Sequence, residues 1–323
     1  MTIREYSERD IEQIVTLNQR VFSEQEHFDI TRDEKWFRWK NIDNPFGKSI
    51  VIVAENENGE IIGSRIFWPW KFKIRMSEFI AYQPIDAVVD PKYQGKGLFY
   101  TMTVEALKIA LNNEAAFIFN FSNKNSLPRN LSFGWSFVSK LIWYVKVVNP
   151  PYILNMDKKA KNVHELGDYK LTESVVKEIK FRTNFDGYIK SVRSLEFVKW
   201  RYLNHPFFTY GSVHFTEGKK TIWAIFSVNS VGKYREMFVV DILGDYNLIG
   251  GLLSEVKQAA KNFDVSAIYI LKNPYIDGRQ ILKSGYVVLK NKNLVCLPIR
   301  LELESKLLDY TQWEMFGGLH DAL

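Results

Sequence analysis

Apolar residues at Ile11, Ile14, Leu17 and Val21 recur at helical spacing. They predict an amphipathic helix after a short strand near 3–6, with Ser7 or Asp10 placed to cap it. A second helix is predicted over about 33–40. The period then changes. Ile50–Glu55 is a β-branched run, Asn58-Gly59 is a hairpin turn signal, and a returning strand is expected over 61–68. An apolar strand near 85–89, a Pro break, a glycine loop, a helix over 98–112 and a strand over 117–121 complete the series.

The second half repeats this pattern weakly. Trp39 with Pro45-Phe46 corresponds to Trp200 with Pro206-Phe207, turn Gly59 to Gly218, Asp86 to Asp241, and Gly134-Trp135 to Gly285-Tyr286. The order never breaks and the spacing between partners shrinks steadily, as a duplication followed by small deletions would leave it. A period this long means two domains, not a solenoid. The stretch carrying Pro150-Pro151 and the polar run 157–162 reads as a linker leading into the second unit.

With 323 residues, 46% hydrophobic and 25% charged, the composition is that of an ordinary globular chain with room for two cores. The net charge of +6 is mild and no long basic run appears, which argues against a nucleic-acid partner. Cys296 is the only cysteine, so no internal disulfide can form; a buried strand thiol and a cytoplasmic location are expected. The N-terminus lacks a signal pattern, no run approaches the ~20 apolar residues of a membrane span, and the five histidines show no metal-ligand spacing. No membrane partner and no metal are therefore expected.

The most informative stretch is Val88-Val89-Asp90-Pro91-Lys92-Tyr93-Gln94-Gly95-Lys96-Gly97-Leu98-Phe99. Strand, tight glycine turn and helix start together build an anion site, because backbone N–H groups and the positive helix end point at one place. The Walker pattern GxxxxGK[ST] is absent, and Gly95-Lys96-Gly97-Leu98-Phe99-Tyr100 lacks the third glycine of a dinucleotide fingerprint. An ordinary strand–turn–helix corner is the plain alternative. The spacing Gln94-x-x-Gly97 after a Val-rich strand resembles the acetyl-CoA pyrophosphate loop of the GNAT superfamily of acyl-CoA N-acyltransferases, Q/R-x-x-G-x-G/A. It departs from that pattern at Phe99. The element order of the first half resembles the same family.

The resemblance implies an α/β (α+β) chain of two tandem GNAT-like domains, each a mixed, mostly antiparallel sheet flanked by helices. Its expected divisions are 1–148 for the acyl-CoA-binding domain, 149–184 for a linker and first elements, and 185–323 for a degenerate copy. The copy has lost the loop, since Asp245 stands where phosphates would lie. Acetyl-CoA is the implied co-substrate, held by main-chain groups of Ala87, Val88 and Val89 and by Gln94, Gly95, Lys96, Gly97, Leu98 and Phe99. Asn123 and Asn125 either bind the pantetheine arm or, with Ser126, cap the next helix.

Asp86 is the best-placed carboxylate for a general base, and a structural role, echoed by Asp241, is the alternative. Gln83, nearby, can orient but not titrate. His27, with Glu24, Glu26 and Asp29, lies where the family shapes the acceptor site; an ordinary surface histidine is the other reading. The tyrosine that many relatives use as general acid is replaced here by Asn130. Trp36 and Trp39 share a helix face and either anchor the helix or stack on a sugar ring. The expected activity is acyl transfer to an amine of a small metabolite or amino sugar. A Fem-type aminoacyl transferase and a non-catalytic CoA-sensing module are the rival readings.

Overall fold

The computed structural model describes residues 1–22, 30–124, 126–148, 160–181 and 186–320. Its strands are β1 (Thr2–Glu5), β2 (Ile50–Glu55), β3 (Ile61–Ile74), β4 (Ser77–Val89), β5 (Phe117–Ser122), β6 (Ser136–Val147), β7 (Ala160–Asn162), β8 (Lys190–Ser191), β9 (Gly211–Glu217), β10 (Lys220–Val231), β11 (Tyr234–Gly244), β12 (Ala267–Leu271) and β13 (Val287–Pro298). The main helices are α1 (Ile11–Phe22), α2 (Glu34–Asn41), α3 (Leu98–Asn112), α4 (Leu127–Ser132), α5 (Glu173–Glu178), α6 (Leu195–Val198), α7 (Ile249–Asn262), α8 (Gly278–Lys283) and α9 (Glu304–Leu307). The expected hairpin forms around Gly59, with φ near +79°, but β3 and β4 run much longer than the apolar pattern alone suggested.

The strands join in one mostly antiparallel sheet, ordered β1-β2-β3-β4-β5-β13-β6-β12-β11-β10-β7, with β8 on β3 and β9 on β10. The two halves exchange their last strands. β6 pairs with β12 from Ala267↔Val147 to Leu271↔Trp143, and β13 pairs with β5 from Asn293↔Ser122 to Pro298↔Phe117. The β5 face of β13 buries Cys296, whose thiol is pushed well up by burial and is therefore inert. One apolar layer packs α1 and α2 on the first face of the sheet, a second lies under α3 on the opposite face, and a third lies under α7.

Where the halves meet, corresponding residues make corresponding bonds. Trp39 Nε1 donates to the Trp200 carbonyl at 2.9 Å, Trp200 Nε1 donates to the Trp39 carbonyl at 2.8 Å, and the rings stack at 5.2 Å. Asn44 Oδ1 accepts from Phe46 N at 2.9 Å, while His205 Nδ1 accepts from Phe207 N at 3.2 Å and Phe208 N at 2.9 Å. Burial first, then the charges of Arg201 and Lys40, hold His205 well below its ordinary pKa, which keeps Nδ1 an acceptor. Trp36, Trp39 and Trp200 are buried, so these aromatics are core residues and not a sugar platform. Trp200→Phe is expected to cost about 1–3 kcal/mol, because it orphans the buried Trp39 carbonyl; urea unfolding would measure it.

Candidate functional site

The glycine loop is held in shape by its neighbours. Asp90 N donates to Ile62 O at 2.8 Å and Asp90 Oδ1 accepts from Lys92 N at 2.9 Å, while Arg20 of α1 pairs with its carboxylate. Gln94 Nε2 donates to the Val89 carbonyl at 3.2 Å. Gly95 and Gly97 take φ values of 77° and 78°, a conformation that L side chains rarely adopt. A Cβ at either place would meet nothing within 4 Å, so open space lies before the first turn of α3. The Lys96 ammonium lies 5.0 Å from the Tyr93 ring. Phe99 turns away from the loop: its ring lies between the guanidiniums of Arg65, at 5.0 Å, and Arg129, at 5.5 Å, with Phe133 at its edge.

Beside the loop the sheet opens. β4 pairs with β5 in parallel only at Ala81↔Phe117 and Tyr82↔Ile118, so from Gln83 onward the β5-facing edge of β4 has no ladder among the described residues. Val88 and Val89 pair with Ser64 and Gly63 on the β3 side alone. Ala87 lies in a β-bulge beside Asp86, whose φ is 43°. A strand with one free edge can bond an amide-bearing chain in the manner of a peptide.

Asp86 is tied twice. Oδ1 meets Arg32 Nη1 and Oδ2 meets Lys40 Nζ, each at 2.8 Å. Burial pushes its carboxyl up, but the two cations outweigh burial and hold it well below the usual carboxylate range. Gln83 is buried at the mouth of the opening and accepts from Trp70 Nε1 at 3.0 Å. Asn123 Oδ1 accepts from Ser126 N at 2.9 Å and its own N–H donates to Ser126 Oγ at 3.1 Å, a local turn that opens α4. Asn130 is buried and donates to Ser122 Oγ at 2.6 Å. His27, Glu24, Glu26, Asp29 and Asn125 lie outside the described residues.

Pattern reading missed Arg32, Lys40 and Arg65. Two of them carried a signal. Lys40 follows Phe37 by three residues and Trp36 by four, on a helix face that is otherwise aromatic, and Arg65 interrupts a mostly apolar run between Ile61 and Trp68.

The second half carries the corresponding opening, but filled. β11 and β12 pair from Glu236↔Ala267 to Val239↔Ile270 and then stop. The turn Gly317–Leu319 lies against that edge so closely that a Cβ on Gly317 would come 2.9 Å from Val240 Cα. Asp245 Oδ1 accepts from Asn247 N at 3.1 Å and Asp245 pairs with Lys220, so a side chain already occupies the loop's N–H group.

Asp241 shares one guanidinium, Arg193, with Glu314 and accepts from Tyr202 at 3.2 Å. Two carboxylates on one cation reverse the balance at Asp86. Burial raises the Asp241 pKa from 3.8 to about 6; Arg193 opposes this and Glu314 adds to it. The native state therefore binds this proton more tightly than the unfolded chain. Its contribution to stability is full below pH 3.8 and is lost as pH rises to about 6. Chemical unfolding at pH 4 and pH 7 should show this fall in the wild type and a flatter profile in Asp241→Asn.

Among the described residues no group of three or more His, Cys, Asp or Glu side chains could hold a metal ion, and no helix is long and apolar enough to cross a membrane. Residues 2–138 match the family model described as an acetyltransferase (GNAT) domain. No curated protein matches the sequence. Among solved structures, the fold is similar to a GCN5-related N-acetyltransferase from Anabaena variabilis, with a TM-score of 0.62, 12% identity, and coverage of 93% of this chain and 73% of that one. It is similar to a probable N-acyltransferase from Enterococcus faecalis, with a TM-score of 0.60, 11% identity, and coverage of 93% and 73%. It is also similar to the N-myristoyltransferase of Saccharomyces cerevisiae with bound myristoyl-CoA, with a TM-score of 0.56, 10% identity, and coverage of 91% and 82%.

Proposed function

We propose that this chain, whose residues 2–138 match the acetyltransferase (GNAT) domain model, is an acyltransferase that moves an acyl group from acyl-CoA to an amine of a small metabolite. The observation that carries this reading is the pairing of two features. An open loop with two left-handed glycines heads α3, and directly before it runs a strand whose edge is free from Gln83 onward. The first suits a diphosphate held by backbone N–H groups, and the second suits the pantetheine amides. Ala87, Val88, Val89 and the Gln94–Phe99 segment would line that path. Phe99 would form a wall of it and not its floor.

The donor enters from the α3 and α4 face. The acceptor approaches from the opposite face, where α1 and α2 pack. In this reading Asp86 anchors Arg32 and Lys40 instead of taking the acceptor's proton, because a carboxylate held that low is a weak base. The second half supports the site without a cofactor of its own, its opening being filled by Gly317–Leu319.

Titration calorimetry with acetyl-CoA, followed by a thiol-release assay over a panel of amines and amino sugars, tests the proposal. Binding and release together are expected. Failure to bind acetyl-CoA or a longer acyl-CoA would defeat it, and binding without release from any amine would favour a sensor.

A further inference from the structure

Among the described arginines that lie deep in the protein, Arg201 and Arg193 each have several polar partners. Arg201 donates to the carbonyls of Gly318 at 3.1 Å and His320 at 2.9 Å and to Tyr210 Oη at 3.2 Å. Arg193 is held by Asp241 and Glu314. Arg65, only 4% exposed, makes a single hydrogen bond, from Nε to Thr103 Oγ1 at 3.2 Å, and that hydroxyl in turn donates to the Phe99 carbonyl at 2.7 Å. The rest of its environment is aromatic, with Phe67 at 5.3 Å and Phe99 at 5.0 Å. No carboxylate among the described residues lies within ion-pair distance of it. Burial pushes its pKa down to about 9, against the pull of Asp86. A buried cation with no anion in direct contact costs several kcal/mol. Such a site is incomplete until a ligand supplies the negative charge.

Its position says which charge. Arg65 is the β3 residue between Ser64, paired with Val88, and Ile66, paired with Ile85, so it stands opposite the β4 bulge at Asp86–Ala87. Its contacts with Phe99 and Thr103 place the guanidinium beneath the first turns of α3, on the cofactor face. A donor whose diphosphate occupies the loop and whose arm runs back along β4 would bring its thioester end to the bulge. The tyrosine that would protonate the leaving group in many relatives is replaced by Asn130, which is buried and bonded to Ser122.

We infer that Arg65 is a catalytic residue that receives the departing thiolate of the acyl donor at the β4 bulge. The inference rests on the acyl-CoA reading above. The acceptor nitrogen forms a bond to the thioester carbon while the carbonyl π pair moves to oxygen. Collapse re-forms the carbonyl and breaks the C–S bond, whose electron pair goes to sulfur beside the guanidinium. The acceptor's surplus proton leaves to water, and the thiolate takes a proton from water on release. Charge stabilisation of the leaving group replaces proton donation to it.

The experiment titrates the thiol of bound CoA through its thiolate absorbance, in the wild type, Arg65→Met and Arg65→Lys. The bound thiol should ionise about one pH unit or more below free CoA in the wild type. It should return to the free value in Arg65→Met and recover part of the shift in Arg65→Lys. Turnover in Arg65→Met should fall roughly 100-fold or more, the scale seen when one transition-state charge partner is removed. Affinity for 3′-phospho-ADP, the nucleotide part of CoA, should stay within about twofold. The melting temperature of Arg65→Met should hold or rise, since an apolar isostere removes a desolvated charge. CoA bound by the wild type with an unshifted thiol would overturn this inference alone. Equal losses of CoA and 3′-phospho-ADP affinity in Arg65→Met would assign Arg65 to the diphosphate and overturn it as well. A wild type that does not bind CoA would overturn the acyl-CoA reading and this inference together. If Arg65→Met does not fold, the wild-type and Arg65→Lys titrations still decide.

Discussion

Gly97→Glu is expected to lower affinity for acetyl-CoA by about 100-fold or more. Two effects add. Gly97 caps α3 with φ at 78°, where an L residue carries about 1–2 kcal/mol of strain. The new side chain has room, since nothing lies within 4 Å of its Cβ, so the fold need not break to admit it. The space it enters is that into which the N–H groups of the loop and the α3 N-terminus point. A carboxylate there opposes a diphosphate by charge and by volume. Gly97→Ala carries the strain without the charge and should retain much of the affinity. Calorimetry on both variants separates the terms, and unchanged binding in Gly97→Glu would remove the loop from the cofactor site.

Asp86→Asn is expected to destabilise the protein by about 3–5 kcal/mol, the scale of breaking a buried ion pair by removing one partner. Asn fills the same volume and tolerates a positive φ as well as Asp does, so backbone strain at 43° does not change. What changes is the loss of a carboxylate that both Arg32 and Lys40 meet, with Arg65 nearby. The sign with pH follows from the depressed folded pKa. The wild type holds this stability above the unfolded value of 3.8 and loses it as pH falls through the lower folded value. Urea unfolding at pH 7 and pH 3 should therefore bring wild type and Asp86→Asn closer together in acid. A stable Asp86→Asn with sharply reduced turnover would restore the general-base reading.

Much of the first half was legible because its signals are local. The hairpin at Gly59, the Ser7–Asp10 cap before α1 and the loop into α3 depend on φ preferences and on neighbours within a few residues. Phe99 was not legible. Its departure from the loop pattern is accommodated by Arg65 of β3 and by Arg129 and Phe133 of α4 and its C-cap. Asn123 carried a local signal for capping, and the turn with Ser126 is what formed.

The sequence by itself determined the periods of the helices and strands, the glycine loop, and the correspondence of Trp39 with Trp200 and Asp86 with Asp241, because these live in residue type and spacing. Only the tertiary structure decided how the matched residues differ in role. Trp39 and Trp200 bond each other across the seam. Asp86 meets two cations, and Asp241 shares one with Glu314. The exchange of β6 and β13, the filling of the second opening by Gly317–Leu319, and the lack of an ion pair at Arg65 among the described residues are likewise long-range facts. Charge balance and burial are sums over everything packed around an atom, and those neighbours are far away along the chain.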